Sequence, residues 1–358
     1  MKLQFEKAGL LTTVQDPGRW GYQAVGMPVA GAMDGFALRA GNIIVGNDTC
    51  AAAVEVTVTG PTFSVTEGEG VFCLSGAELV LTINGEKAPA WTAHSIKAGD
   101  KVTVGGPAGA GCRGYLCFSG GIDVPVVMGS RSTYLRAKIG GLKGRALKAG
   151  DVLETGENPP LWRRCEGFAC PAYLRPGYGK DRPVRVLLGP QDDCFTREGI
   201  ETFLGSDYVI TNEADRMGFR LEGPAIEHTG GADIISDGIP LGAVQVPGHG
   251  KPVVMLADRQ TTGGYTKIAV AVAADISLLA QRMPGNVVRF EKVEFEEALA
   301  IAREEGARLR SLVQERARFR SAPRVIEGLR PAAGREKYTF RMTVNGASYE
   351  VDVEETGQ

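Results

Sequence analysis

The stretch Glu78-Leu-Val-Leu-Thr-Ile83-Asn84-Gly85 decides the fold class. Its apolar residues alternate along the chain, the period of a strand with one buried face, and Asn-Gly supplies the two positive-φ residues that a type I′ hairpin turn requires. Working outward, Thr62–Thr66, Gly70–Ser75, Ser95–Ile96, Lys101–Val104 and Gly114–Ser119 read as further strands, with the series ending near Asp151–Glu154. Forty-nine glycines and short apolar runs rich in Val, Thr and Ile complete the picture of a mainly β protein.

The pattern pauses between Gly156 and Pro183, where Pro159, Pro160, Pro171, Pro176 and Pro183 punctuate the chain as in a linker or a long ordered loop. It resumes at Val184–Leu188, Tyr208–Thr211, Phe219–Leu221, Ala243–Val246, Val253–Ala257 and Val287–Phe290. Gly60-Pro61 is echoed by Gly223-Pro224, and Lys97–Asp100 by Met283–Asn286, so either the two halves are distant copies or short turn motifs recur by chance. From Glu294 to Phe319 the period becomes helical, with Phe295, Leu299, Ala302, Leu309, Leu312 and Val313 on the expected apolar face. The expected organisation is a first β domain over 1–156, a linker or long loop over 157–183, a second β domain over 184–293, an amphipathic helix over 294–320, and a linker with a β-hairpin tail over 321–358.

Composition excludes several functions. With 40 basic and 42 acidic residues the net charge is −2, which gives no field to recruit nucleic acid or an anionic membrane. No apolar run reaches membrane-spanning length, and Lys2, Glu6 and Lys7 interrupt any signal-peptide core, so a cytoplasmic location is expected. Seven cysteines with no CxxC pair and three scattered histidines predict idle thiols and no metal site. Gly109-Ala-Gly-Cys-Arg-Gly114 fits G-x-G-x-x-G but leads into a strand where a dinucleotide fingerprint opens a helix, and is read as a turn. The chain has no P-loop, no G-x-S-x-G and no H-E-x-x-H, and none of His94, His228 and His249 receives a catalytic role.

What remains is a density of polar residues in glycine-rich loops: Val14–Arg19, Gly129–Thr133, Gly189–Asp193, Asp215–Gly218, Gln245–Pro247 and, densest, Asp258–Lys267. Glycine lets backbone approach a ligand, and Asp, Gln, Arg and Thr pair donors with acceptors as recognition of an amide demands. Hairpin turns with polar tips explain any one of them equally well.

Taken together and in order, Thr13–Arg19, Gly31–Asp34, Asn42 with Gly46-Asn47, Gly189–Asp192, Asp215–Pro224, Gly242–Pro247 and Asp258–Tyr265 resemble the family of allophanate hydrolase subunit 2 and the 5-oxoprolinase C subunit, related to the carboxyltransferase region of urea carboxylase. The resemblance implies two cyclophilin-like β-barrels, followed here by a helix and hairpin tail. It implies a partner like subunit 1 or the 5-oxoprolinase B subunit, in a heterodimer or heterotetramer, and with it either a LamB/YcsF-like protein as the A subunit or a biotin carrier protein. Three activities follow: ATP-dependent hydrolysis of 5-oxoproline to glutamate, transfer of a carboxyl group from carboxybiotin on a separate carrier to urea or a similar amide, or regulation by countering a kinase inhibitor. ATP, shared with the partner, is the expected cofactor in the first case.

Both enzyme reactions place a planar N–C=O group in the site. On that basis Lys267 and Arg216 are expected to offset charge on the activated oxygen, and Asp258 or Asp215 to accept a proton from, or orient, the substrate nitrogen. Arg216 has the alternative of a structural salt bridge between the barrels. Gln245 and Gln191 are expected to read the amide edge, within a substrate-binding set that includes Gln15, Asp16, Arg19, Asn42, Asp193, Gln260, Thr261, Thr262, Gly263, Gly264 and Tyr265. Thr266 stands where the family usually has proline, so that loop is expected to be less rigid. Tyr338–Glu354 resembles the segment that precedes biotin carrier domains, but no Met-Lys-Met follows before Gln358, so this chain is not expected to carry biotin.

Overall fold

The computed structural model describes residues 1–319, 337–344 and 347–354, which fall into two units, Met1–Ser321 and Ala322–Gln358. The first half builds two antiparallel sheets. One runs in the order Ile122–Asp123, Val152–Thr155, Lys2–Lys7, Thr62–Glu67, Lys101–Pro107, Leu79–Ile83, Glu86–Lys87. The other runs Leu11–Gln15, Ala53–Thr57, Arg113–Phe118, Glu69–Gly76, His94–Lys97. Alternate residues of both sheets meet in one core, with Leu3, Phe5, Phe63 and Val102 facing Val54, Phe72, Leu116 and Phe118. Asn84 and Gly85 take φ of 54° and 86°, as the type I′ turn demands.

The five-stranded sheet is buried on both faces. Its second face, including Val71, Tyr115 and Cys117, packs against helix α1 (Gly35–Val45) and against Phe168, Cys170 and Leu174 of the segment 157–183. Helix α1 was not expected from the sequence. Phe36–Leu38 and Ala40–Val45 are all buried, so the apolar periodicity that marks a surface helix is absent. Asp34 caps its start by accepting from Ala37 N at 2.9 Å, and Gly46 ends it at φ 85°.

Residues 184–292 form one eight-stranded sheet, ordered Val287–Val288, Tyr208–Ile210, Gly218–Glu222, Val253–Met255, Ala243–Gln245, Lys267–Ala271, Val184–Leu188, Phe290–Lys292. Its two outermost strands are separated by Arg289 alone, so the sheet curls until its edges meet in a nearly closed barrel. Phe203, Phe219, Val244, Val254, Ile268 and Leu279 fill it. Two short helices attach to it, α2 (Arg197–Gly205) and α3 (Ala273–Leu279). The chain is therefore mainly β, as its alternation predicts.

Helix α4 (Phe295–Arg318) forms where the period changes, but the buried face is Ala298, Ile301 and Leu312. Phe295 and Val313, expected on that face, are exposed. Arg39 pairs with Glu305 at 2.8 Å, and the Arg308 guanidinium covers the Phe36 ring, so polar contacts with α1 turn the helix away from its purely apolar stripe. In the second unit Lys337–Val344 and Ala347–Glu354 pair antiparallel; the Asn345-Gly346 turn lies outside the described residues. Among the described residues no helix is long and apolar enough to cross a membrane.

One clasp gives the first half a pH dependence. Arg145 grips Asp151 through two bonds of 2.6 and 2.8 Å, and Lys148 N donates to the same carboxylate at 2.7 Å. The Arg145 hydrogen bond, chiefly, holds Asp151 below its ordinary 3.8. A carboxylate with a lowered folded pKa stabilises the fold above its unfolded value and loses that contribution as pH falls through and below it. The thermal midpoint of Asp151→Asn should therefore be lower than wild type at neutral pH, and the difference should shrink below about pH 4.

Candidate functional site

Arg216 leaves the turn before Gly218–Glu222 and crosses to the first half of the chain. Its guanidinium forks onto Asp258 at 3.1 and 3.0 Å, and bonds Glu55 of strand Ala53–Thr57 and the Gly31 carbonyl. All three charged side chains are buried. Burial alone would lower the Arg216 pKa, but Asp258 and then Glu55 overcome it and hold the cation more firmly protonated. The network continues through Tyr115 Oη, which donates to Glu55 at 2.8 Å and accepts from Asp34 N at 2.7 Å. Asp34 Oδ2 in turn accepts from Tyr178 Oη and from Gln281 Nε2, both at 2.7 Å. Burial raises the pKa of Asp34 and pushes Tyr115 well up. This is the salt bridge between halves: Asp258 accepts from Arg216 through both oxygens, and Glu55 meets the same guanidinium from the first half. Asp215 is likewise a turn-former, accepting from Met217 N at 2.8 Å and Gly218 N at 3.1 Å.

The early loop motif proves to be another scaffold. Asp16 accepts from Gly18 N (2.8 Å), Ser130 Oγ (2.6 Å) and Ser132 Oγ (2.5 Å) at Oδ1 and from Arg131 N (2.6 Å) at Oδ2. Gln15 donates to Thr13 Oγ1 and the Thr133 carbonyl, and Arg19 to the Ser132 carbonyl. Asn42 donates to Ala51 O at 2.8 Å and accepts from Asn47 at 2.9 Å, fixing the end of α1. Asp193 is exposed in a short 3-10 turn. None of these lines the cavity described next.

That cavity opens on the barrel and has a volume of about 490 Å³. Met217, Leu221, Val253 and Met255 give it apolar walls, and Gln245, Gln260 and Tyr265 bring polar groups to it. The Gln245 side chain is buried, and its Nε2 has no hydrogen-bond partner, an unspent donor. Gly263 makes this possible: a Cβ there would lie 3.0 Å from Gln245 Nε2 and 2.7 Å from Ile239 Cδ1. The strand Thr262–Tyr265 pairs with Asp233–Gly238 as a separate ribbon, so Thr262, Gly263 and Gly264 serve through backbone pairing. Thr261 bonds Ile239 N through its carbonyl. Gln260 and Thr261 also line a second cavity, of about 560 Å³, together with Trp20 and Arg259.

Lys267 sits opposite Gln245 in the strand register and is completely buried. Its Nζ lies 3.1 Å from Asp237 Oδ2, and its backbone N donates to Gln191 Oε1 at 3.1 Å. Gln191 Nε2 reaches the same Asp237 at 3.3 Å. Lys267, first by its hydrogen bond, holds Asp237 below its ordinary value. The sequence singles out Lys267, Gln191 and Gln245 but not Asp237, Glu55 and Tyr115, whose partners lie far along the chain.

Thr266 differs from its expectation. It is buried, its N–H donates to Ala232 O at 3.0 Å, and its hydroxyl meets His228 Nε2 at 3.1 Å. Threonine ties this end of the loop with bonds a proline cannot make. Thr266→Val keeps the shape and deletes the hydroxyl; it should cost about 1 kcal/mol in a denaturant titration.

Known proteins are similar to this chain in sequence and fold. Residues 25–292 match the family described as carboxyltransferase domain, subdomain A and B. The Escherichia coli (strain K12) protein named as the C subunit of 5-oxoprolinase is 39% identical over 299 residues, covering 83% of this chain and 93% of that one. The solved K. lactis urea amidolyase has a TM-score of 0.81 at 30% identity, covering 87% of this chain and 20% of that one. The solved protein TTHA0988 has a TM-score of 0.73 at 33% identity, covering 81% of this chain and 55% of that one. The barrel, the ion triad and the glutamine-lined cavity thus belong to a member of the carboxyltransferase domain family, subdomains A and B.

Proposed function

We propose that this chain is the C-type component of an ATP-dependent 5-oxoprolinase, opening the lactam of 5-oxoproline to glutamate with a B-type partner. The observation that carries the reading is cavity-lining Gln245, whose buried Nε2 donor has no hydrogen-bond partner, which suits a lactam carbonyl. Gln260, at the same cavity, can accept from the lactam N–H. The Lys267 ammonium, on the strand beside Gln245, favours negative charge as the carbonyl oxygen is activated. Near-complete overlap with a free-standing relative of that name supports the same reading.

The cavity does not suit a triphosphate. Its two cations are already matched, Lys251 to Glu222 at 2.7 Å and Arg220 to Glu213 at 3.3 Å. No step through ATP is assigned to these residues.

Carboxyl transfer from carboxybiotin to urea or a similar amide is the second reading, favoured by the overlap with the urea amidolyase structure. The same donor set suits a ureido ring as well as a lactam. The test is phosphate release from ATP by this chain coexpressed with its B-type and LamB/YcsF-like partners. Stimulation by 5-oxoproline is the expected result. An intact complex without stimulation would overturn the oxoprolinase reading and leave carboxyl transfer, sought next through a copurifying biotinylated carrier.

A further inference from the structure

Remote from Gln245 in the fold, a cavity of about 370 Å³ lies between the segment 173–185, α1, α3 and α4. Five cations line it: Arg175, Lys180, Arg182, Arg185 and Arg308. Such a concentration of like charge is unfavourable unless something neutralises it, and the chain does so only in part.

Arg185 grips the buried Asp275 through bonds of 2.8 and 2.6 Å, and Arg182 shares that carboxylate at 3.5 Å. Arg175 is held by the Cys170 carbonyl at 2.9 and 2.6 Å, and Arg308 by the Leu174 carbonyl at 2.7 Å, with its guanidinium over the Phe36 ring. These contacts aim the two guanidinium groups, and among the described residues neither makes a direct ion pair, though Arg308 lies within the electrostatic reach of Glu305. The Lys180 ammonium makes no ion pair or side-chain hydrogen bond among the described residues.

The acids nearby do not close the gap. Glu305 lines the cavity but is engaged by Arg39 at 2.8 Å, and burial raises its pKa. Asp181 turns away to Arg289 at 3.0 Å. Asp34 lies behind Tyr178 and is spent on the buried network. Glu304 is the remaining carboxylate of the lining.

We propose that this cavity is an oligophosphate-binding site, taking an anion with two or more linked phosphates. Guanidinium forks match phosphate oxygens in pairs, and Lys180 adds a mobile point charge at the rim. The exposed ring of Tyr173, also in the lining, offers a face to a nucleoside attached to the phosphates. This site stands on its own charges and is independent of the reaction assigned to the Gln245 cavity, because its readout is binding by this chain.

The experiment is calorimetric titration of the purified full chain with pyrophosphate, ATP and orthophosphate. Pyrophosphate and ATP should bind more tightly than orthophosphate, and added salt should weaken both. The pair Lys180→Glu with Arg182→Gln should weaken binding roughly tenfold or more, the scale of losing one or two charge-assisted contacts. Thermal stability should be retained, since Lys180 is exposed and the buried Asp275 that Arg182 shares keeps its two shorter bonds to Arg185. Lys97→Glu, a charge reversal on an exposed strand elsewhere, should leave binding intact. Equal binding of the two ligands means recognition of the phosphates alone, and a preference for ATP adds the nucleoside; either supports the site. No binding of either at millimolar concentration, or binding indifferent to the double substitution, would overturn it.

Discussion

Arg216→Met is expected to destabilise the protein by about 3–5 kcal/mol, the cost of stranding charge where a buried ion pair stood. Glu55 and Asp258 are both buried, and without Arg216 their negative charges face each other with no cation between them. The thermal midpoint should fall by roughly 5–10 °C. Since the cost arises from stranded charge, the triple variant Arg216→Met, Glu55→Gln, Asp258→Asn should regain most of it. A triple variant as unstable as the single one would show that the guanidinium's packing, and not its charge, joins the two halves.

Lys267→Met in the assembled complex should cut turnover by about 10²–10³-fold, the range for losing one preorganised group that stabilises developing charge. Methionine fills a similar volume, and the Asp237 it leaves behind is half exposed and can be solvated, so the midpoint should barely move. That separation matters because Lys267 also pins the Asp233–Gly238 ribbon through Asp237. If pinning is its whole role, Asp237→Asn should match Lys267→Met in effect. If the ammonium acts on the substrate, Asp237→Asn should be much the milder change.

The β architecture was legible because alternation and Asn-Gly are local signals, and Val184–Leu188 forms over the span read from sequence. Helix α1 was not, since a helix buried nearly all round loses its stripe. The site was half legible. Gln245 and Lys267 could be picked out as polar residues in an apolar-rich strand context. Whether an aspartate is free or spent depends on partners at long range: Asp258 is taken by Arg216, and Asp16 by Ser130, Arg131 and Ser132. Polarity in a glycine-rich loop therefore marked scaffold and site alike, and lining the cavity separated Gln245 from Gln15 and Arg19, which also hold buried atoms without a partner.

If the Gln245 cavity receives the planar amide, the most direct test is the kinetics of glutamate formation from labelled 5-oxoproline by the complex carrying wild-type chain or Gln245→Met. A rise in KM of roughly tenfold or more, with the complex intact, is the predicted result, as losing a buried donor to a carbonyl costs about 1–2 kcal/mol. Identical kinetics in the two complexes would contradict that role for the cavity and place the substrate elsewhere.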